Sequence, residues 1–156
     1  MESGGMRLGI DPGINGAIAV LDGDQLLTVY DMPVVELKSG KTTKQSVSPA
    51  LLASLLRQHA GAHVVIEKVG AMPGQGVASM FNFGKSAGIV EGVCAGLGLP
   101  VSFVTPQQWQ KRAGRRDGKD GSRARAAELF PAQAGLFARV KDDGRAEAAL
   151  IARFGL

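Results

Sequence analysis

The sequence has few of the features that link a chain covalently or insert it into a membrane. It contains one cysteine, Cys94, so it can form neither an internal disulfide nor a cysteine-rich zinc site. No apolar run approaches the roughly 20 residues that span a bilayer, and residues 1–5 do not resemble a signal peptide. We therefore expect a protein of the reducing cytoplasm with no membrane partner.

Aromatic residues are also scarce, at 5%, and acidic residues are outnumbered by basic ones, 14 to 18. The resulting net charge of +4 permits a polyanionic partner without requiring one. With 156 residues, 45% of them hydrophobic, the chain can bury one core. We predict a single domain over residues 6–156, preceded by a disordered N-terminus, residues 1–5.

The spacing of apolar residues predicts an α/β protein. Residues 6–33 alternate as three short strands in an antiparallel meander, and we interpret residues 34–47 as a mobile basic loop. Two further strands, at 63–67 and 100–104, would extend the meander in parallel. Helices are predicted at about 48–59, 77–97, 122–129 and 143–154, with a short one after Thr105-Pro106. This order gives a mixed five-stranded sheet flanked by helices, which is the ribonuclease H-like fold.

Four acids lie where the predicted fold has an edge. Asp11 ends the first strand and Glu67 ends the fourth, while Asp143 and Glu147 share one face of the last helix. Asp11 alone could simply cap a turn, and the helix acids alone could favour the helix dipole. Four converging carboxylates raise one another's pKa, and divalent cations would relieve that repulsion. Oxygen ligands suit Mg²⁺ or Mn²⁺, and two such ions can clamp a phosphodiester.

Three stretches resemble the acidic motifs of the RuvC family of Holliday junction resolvases. In chain order they are Ile10-Asp11-Pro12-Gly13 with Gly16, Val65-Ile66-Glu67-Lys68, and Asp143-Gly144-Arg145-Ala146-Glu147-Ala148. Others are similar to a bacteriophage-type branch of that family, namely Met80 to Gly84, Gly88 to Val93, and Thr105-Pro106 with Trp109. The resemblance implies a homodimeric, Mg²⁺-dependent endonuclease that nicks four-way DNA junctions in a bacterial or phage-infected host cell.

The closing motif departs from the family pattern. Cellular members have Asp-x-x-Asp there, whereas here three residues separate the two acids and the second is Glu147. Either Asp142 or Asp143 could therefore be the third ligand.

A basic run between residues 111 and 125 is the densest charged feature of the chain. Glycines within it suggest a mobile segment that could settle on DNA phosphates, although a solvated surface is the ordinary meaning of such a run. We place Lys119 near the scissile phosphate and interpret Trp109 as packed against the sheet. The predicted DNA contacts are Phe81, Lys85, Lys111, Arg112, Arg115, Arg116, Lys119 and Arg123.

The predicted long helix has a second stripe made of small residues, Gly84, Gly88, Gly92 and Ala95. It could pack on a helix of the same chain or form the dimer interface that the resemblance implies. Two other functions are also open. One is a nucleotide-binding domain of the actin or sugar-kinase type, which would need a second lobe. The other is a non-catalytic branched-DNA-binding protein, which the intact acids disfavour.

Overall fold

A computed structural model describes residues 5–156 of the chain, so the predicted disorder of residues 1–4 lies outside the described part. Gly5 is described, and its carbonyl accepts a hydrogen bond from the Gly23 N–H at 3.1 Å. The strands are β1 (Met6–Asp11), β2 (Ala17–Asp22), β3 (Gln25–Asp31), β4 (Val34–Ser39), β5 (Thr42–Val47), β6 (His63–Glu67) and β7 (Val101–Val104). The α-helices are α1 (Pro49–Arg57), α2 (Val77–Gly96), α3 (Pro106–Ala113), α4 (Gly121–Leu129) and α5 (Asp143–Phe154). Two 3₁₀ helices, Pro131–Phe137 and Val140–Asp142, lie between α4 and α5.

The predicted mixed sheet is confirmed, with strand order β3-β2-β1-β6-β7. The first three strands are antiparallel, whereas β1, β6 and β7 run parallel. Because Ile10 pairs with Ile66 across β1 and β6, Asp11 and Glu67 leave the sheet side by side. The edge on which both acids were predicted therefore exists.

The prediction of a mobile loop at residues 34–47 is wrong. This segment forms a separate two-stranded antiparallel sheet, in which β4 and β5 pair from Val34 with Val47 to Ser39 with Thr42. The connecting turn begins at Gly40, whose φ of +62° is the left-handed conformation that a tight hairpin turn needs at this position. The many polar residues hid a strand pattern that has no buried face along most of its length.

Helices cover both faces of the main sheet. On one face, Leu8 and Ile10 pack with Leu52 of α1 and with Val90 and Cys94 of α2. The other face is buried under the helices from α3 to α5, whose core residues include Trp109, Leu150 and Ile151. No helix in residues 5–156 combines the length and the apolar character needed to cross a membrane.

Helix α5 lies close to the central strands at positions where glycines leave room for its backbone. A Cβ atom on Gly9 would overlap the backbone of Ala148 and Ala152, and one on Gly144 would overlap the carbonyl of Asn15. The first turns of α5 are thereby brought against the turn that follows Asp11.

Candidate active site

Three carboxyl groups converge at the edge where β1 and β6 end. Asp11 and Glu67 come from the two parallel strands, and Glu147 comes from the second turn of α5, which crosses them. The side chains of Asp11 and Glu147 are hydrogen-bonded to each other, so one of them must carry a proton. We call Asp11, Glu67 and Glu147 the acidic cluster.

The electrostatics of the acidic cluster favour protonation in the absence of a cation. Burial, the charge of Asp11 and its hydrogen bond raise the pKa of Glu147 to about 8. Burial, with a smaller effect of Asp11, raises the pKa of Glu67 to about 7. Burial also raises the pKa of Asp11, against the hydrogen bonds from Glu147 and Gly13. Positive charge would be needed to ionise all three groups at neutral pH.

Trp109 has a second role besides the predicted packing. Its indole N–H donates a hydrogen bond to Oε2 of Glu67 at 2.6 Å, and the residue is fully buried. The side chain reaches this position because Thr105 caps α3, accepting from the Gln108 N–H while the Gln108 side chain accepts from the Thr105 N–H. The bond favours the charged form of Glu67 and fixes its orientation. Sequence reasoning missed it, although the lone tryptophan one turn after the cap was a usable signal.

The two aspartates at the start of α5 have different surroundings from the acidic cluster. Asp142 is 1% exposed and accepts hydrogen bonds from the backbone N–H of Arg139 at 2.8 Å and from its guanidinium at 2.9 Å. These bonds lower the pKa of Asp142 and engage both oxygens of its carboxylate. Asp143 faces Arg123, with 3.3 Å between Oδ1 and Nε, and lies outside the acidic cluster as the side chains stand.

The acidic cluster fits a cation by its chemistry rather than by its present spacing. Across residues 5–156, no three His, Cys, Asp or Glu side chains are arranged to hold a metal ion. At this edge Asp11 and Glu147 are hydrogen-bonded to each other instead. All donors are carboxylate oxygens, the type that Mg²⁺ and Mn²⁺ prefer.

The basic segment, which we predicted to be mobile, is a turn held between two helices. Its ends belong to α3 and α4, and Arg115 holds the turn between them by donating to Ser122 Oγ at 2.6 Å, to the Arg116 carbonyl at 3.0 Å and to the Gly118 carbonyl at 3.2 Å. Arg115 also lies close enough to Glu147 for its charge to lower that residue's pKa. The segment thus presents a fixed basic turn beside the acidic cluster.

Its basic side chains are not equally available to a ligand. Arg123 is 13% exposed, pairs with Asp120 and Asp143, and donates to the Ala138 carbonyl at 3.1 Å, so it has little charge to offer a phosphate. Arg112 donates to the carbonyl of Phe154 at 3.1 Å, and Arg116 pairs with Glu128 at 3.2 Å in solvent. The exposed lysines are Lys111 and Lys119.

The first half of α2 borders the same edge. Phe81 is 70% exposed, and Lys85, one turn later, is also exposed. The ring of Phe83 lies over the turn after Asp11, 3.7 Å from where a Cβ atom of Gly13 would stand. An exposed aromatic ring and a lysine therefore lie on the helix that carries Phe83.

Comparisons of sequence and of structure both found similarity to proteins that act on Holliday junctions. No protein-family model matches the chain. The chloroplastic Holliday junction resolvase MOC1 of Chlamydomonas reinhardtii is 30% identical over 150 aligned positions, which cover 82% of this chain. The chain spans 17% of the length of that relative.

Solved structures of Thermus thermophilus RuvC match almost the whole fold. RuvC in complex with a Holliday junction substrate superposes with a TM-score of 0.63 and 18% identity, covering 96% of this chain and 90% of that one. A second structure of the same RuvC gives a TM-score of 0.57 and 16% identity, over 96% and 95% of the two chains.

Proposed function

Because the chain has the ribonuclease H-like fold of RuvC and is related in sequence to a Holliday junction resolvase, we propose that it is a metal-dependent endonuclease. It would resolve four-way DNA junctions by paired phosphodiester nicks. The observation that carries this proposal is the acidic cluster, in which three carboxyl groups with raised pKa values, from separate elements, meet at one edge. Functional sites are where such perturbed groups concentrate.

We propose that the acidic cluster holds two Mg²⁺ or Mn²⁺ ions. Bound there, the cations would neutralise the scissile phosphate and lower the pKa of an attacking water. Asp143 remains a proposed fourth ligand, because it precedes Glu147 by one turn on the same face of α5. Its pair with Arg123 explains why its side chain lies outside the acidic cluster in this structure.

The protein's own groups would orient both the carboxylates and the DNA. Trp109 keeps Oε2 of Glu67 in one direction, and Arg115 places positive charge beside Glu147. Lys111 and Lys119 are exposed near the basic turn and are proposed phosphate contacts, with Lys119 nearest the scissile bond. Arg112, Arg115 and Arg116 would add charge to the same surface, whereas Arg123 is not a proposed contact because its charge is already paired with Asp120 and Asp143. Phe81, beside Lys85, would wedge between bases at the branch point.

A cleavage assay tests this function directly. Asp11→Asn and Glu67→Gln should each abolish Mg²⁺-dependent nicking of a synthetic four-way junction, because both residues are proposed ligands. Junction binding should stay within a few-fold, since phosphate contacts hold the DNA. Asp31→Asn, at an exposed carboxylate paired with Arg145, is the matched control and should cut normally. Retained cleavage by either ligand variant would refute the assignment.

The same assay separates the competing functions. A non-catalytic branched-DNA-binding protein would bind the junction and leave it uncut at any Mg²⁺ concentration. A nucleotide-binding domain of the actin or sugar-kinase type would bind ATP instead, and the described chain lacks the second lobe that such a site needs. Substrate choice is read from the same gel by comparing junction, fork and linear duplex.

We also propose a homodimer as the active form. A four-way junction is nearly two-fold symmetric, so one site in each of two subunits would meet the two opposed strands. We infer that the enzyme works in the cytoplasm of a bacterial or phage-infected host cell, and the single, buried Cys94 is compatible with a reducing compartment.

A further inference from the structure

The β4–β5 hairpin is a projecting arm with a firmly held base. At the base, Val47 is buried and the N–H of Ser48 donates to the carbonyl of Pro33 at 2.9 Å. Beyond it, residues 35–45 are all exposed, and within the described chain β4 and β5 pair with each other rather than with the main sheet. Beyond its base the arm places no residue in the core, so its conformation calls for a separate explanation.

The base of the arm is tied to the candidate active site. The N–H of Met32 donates to the carbonyl of Gly16 at 3.0 Å, which links the chain entering the hairpin to the turn after Asp11. A cavity of about 390 Å³ separates the arm from α2 and is lined by Ile14, Lys44 and Phe83, among others. A neighbouring cavity of about 280 Å³ shares Ile14 and Gln45 with the first and is also lined by Gly16 of the turn after Asp11. The arm therefore rises beside the edge that carries the acidic cluster.

Positive charge surrounds the arm instead of marking one face. Residues 34–47 contain three lysines, Lys38, Lys41 and Lys44, against one acid, Glu36. Lys38 pairs with Thr43 and Lys44 with Leu37, so the two lysines lie on opposite faces of the ribbon, and Lys41 is in the turn at the tip. Lysines also protect exposed strands from pairing with other chains, but that purpose does not require charge on both faces and at the tip.

This distribution matches a ribbon that enters a DNA groove. The major groove of B-form DNA is wide enough for a two-stranded β-ribbon, and phosphates border it on both sides. We propose that the β4–β5 hairpin is a DNA-binding arm, which lies in the groove of one duplex arm of the bound junction with Lys38, Lys41 and Lys44 against the flanking phosphates. This inference rests on the proposed function for the identity of the DNA, and it adds a contact surface outside the acidic cluster and the basic turn.

Lysines on phosphates would give the arm an orienting role without sequence preference. Phosphate contacts determine the register of a protein on DNA, whereas base contacts determine sequence specificity. Since the base of the arm is hydrogen-bonded to the turn after Asp11, a duplex held by the arm is held at a set distance from the acidic cluster.

The test compares two charge-matched double variants in binding to a four-way junction, with Mg²⁺ omitted so that no cleavage occurs. Lys38→Gln with Lys41→Gln removes two charges from the distal half of the arm and leaves Lys44, which lines the cavity against α2. Arg57→Gln with Arg153→Gln removes two charges at the end of α1 and beside Asp24, at the opposite end of the strands. Both variants replace partly or fully exposed residues, and thermal melts would check that each is folded.

The arm variant should bind the junction about five-fold more weakly for each lysine removed, at about 0.15 M salt. A plot of the logarithm of its binding constant against the logarithm of the salt concentration should be less steep, by roughly 0.9 for each lost phosphate contact. The control variant should bind as the wild type does, with the same salt dependence. Hydroxyl-radical footprinting should show two protected backbone stretches that border one groove, and both should fade in the arm variant. Equal salt slopes and footprints for the arm variant and the control would overturn the proposal.

Other outcomes separate this proposal from the proposed function. If the arm variant loses dimer mass in sedimentation while its salt slope is unchanged, the arm contacts a second copy of the chain and the DNA role is refuted. The wild type could also fail to cut the junction while the arm variant shows a weaker salt dependence of binding and loses the backbone protection. In that case the DNA-binding arm stands and the nuclease function fails. If the wild type binds no branched DNA, both proposals fail.

Discussion

Glu147 is the residue on which the acidic cluster's charge depends at neutral pH. Its pKa is raised from 4.5 to about 8, so in metal-free protein it retains its proton and donates to Asp11. A carboxyl group whose pKa is higher in the folded than in the unfolded state contributes most stability below pH 4.5. That contribution is lost as the pH rises through about 8. Metal-free wild type should therefore lose stability between these values, and Glu147→Gln should lose less.

Thermal melts in EDTA at pH 4.5 and at pH 8 check this prediction, and melts in excess Mg²⁺ test Glu147 as a ligand. Mg²⁺ should raise the melting temperature of the wild type, because it binds the assembled site and not the unfolded chain. Glu147→Gln should gain much less, whereas Glu36→Gln, at an exposed position on the hairpin, should gain as much as the wild type. Equal Mg²⁺ shifts in all three proteins would mean that Glu147 is not a ligand.

Trp109→Phe isolates the hydrogen bond to Glu67 at the same scale. The substitution keeps an aromatic ring in a fully buried position but removes the N–H that favours ionised Glu67. Groups that orient metal ligands typically contribute about 10–100-fold to metal affinity or activity, so the Mg²⁺ concentration for half-maximal cleavage should rise within that range. The acidic limb of the cleavage rate against pH should also move to higher pH. If a folded variant needs the same Mg²⁺ concentration for half-maximal cleavage as the wild type, Trp109 contributes only packing.

Among the elements, the entry to α5 depends on an ion pair between buried Asp142, at the end of the 3₁₀ helix Val140–Asp142, and half-exposed Arg139. Asp142→Asn removes the charge that accepts hydrogen bonds from Arg139, and should lower the free energy of unfolding by about 1–3 kcal/mol. Because the pKa of Asp142 is lowered from 3.8, this stabilisation is present above that pH and is lost as the pH falls through the folded value. Urea unfolding should therefore show a smaller difference in the free energy of unfolding between wild type and Asp142→Asn near pH 3 than at about pH 7.

A matched control is Asp31→Asn, which breaks a pair with Arg145 whose aspartate is 66% exposed. Exposed pairs contribute about 0–1 kcal/mol, so this variant should lose less stability than Asp142→Asn. Asp142→Asn should keep the Mg²⁺ shift of the wild type, since Asp142 is not a proposed ligand. If Mg²⁺ no longer raises the melting temperature of Asp142→Asn, Asp142 is the third ligand after all.

For the whole molecule, the proposed homodimer needs a surface on which two copies can pack. Gly84, Gly88 and Gly92 lie on an exposed face of α2, and a Cβ atom on any of them would meet no atom within 4 Å in the described chain. The same face borders a groove of about 560 Å³ that includes Glu67 and the half-exposed Phe103. Gly88→Leu should therefore fold normally as a monomer and weaken the dimer only if this face is the interface.

Sedimentation measures that outcome, with Ala124→Leu on the exposed side of α4 as the control. Gly88→Leu should shift the monomer–dimer equilibrium toward monomer and should reduce paired nicking more than single nicking. A folded Gly88→Leu protein with an unchanged dimer mass would place the interface on another surface.

The sequence by itself determined the elements that have a regular pattern and a buried face. The main sheet and the last helix follow from period-two and period-3.6 apolar spacing, because burial selects those spacings. Asp11 and Glu67 were predictable as neighbours because both end strands whose pairing the fold dictates. The hairpin at 34–47 was not, because an arm exposed on both faces leaves no hydrophobic signature.

Tertiary structure decided what each polar side chain does. The sequence contains both Asp142 and Asp143, but only the packing of Arg139 and Arg123 around α5 separates a buried structural aspartate from one facing the basic turn. The same is true of Trp109, whose bond to Glu67 spans 42 residues of chain. Apolar burial is additive and local enough to appear as a pattern, whereas a hydrogen bond depends on direction and on a partner that folding brings from elsewhere.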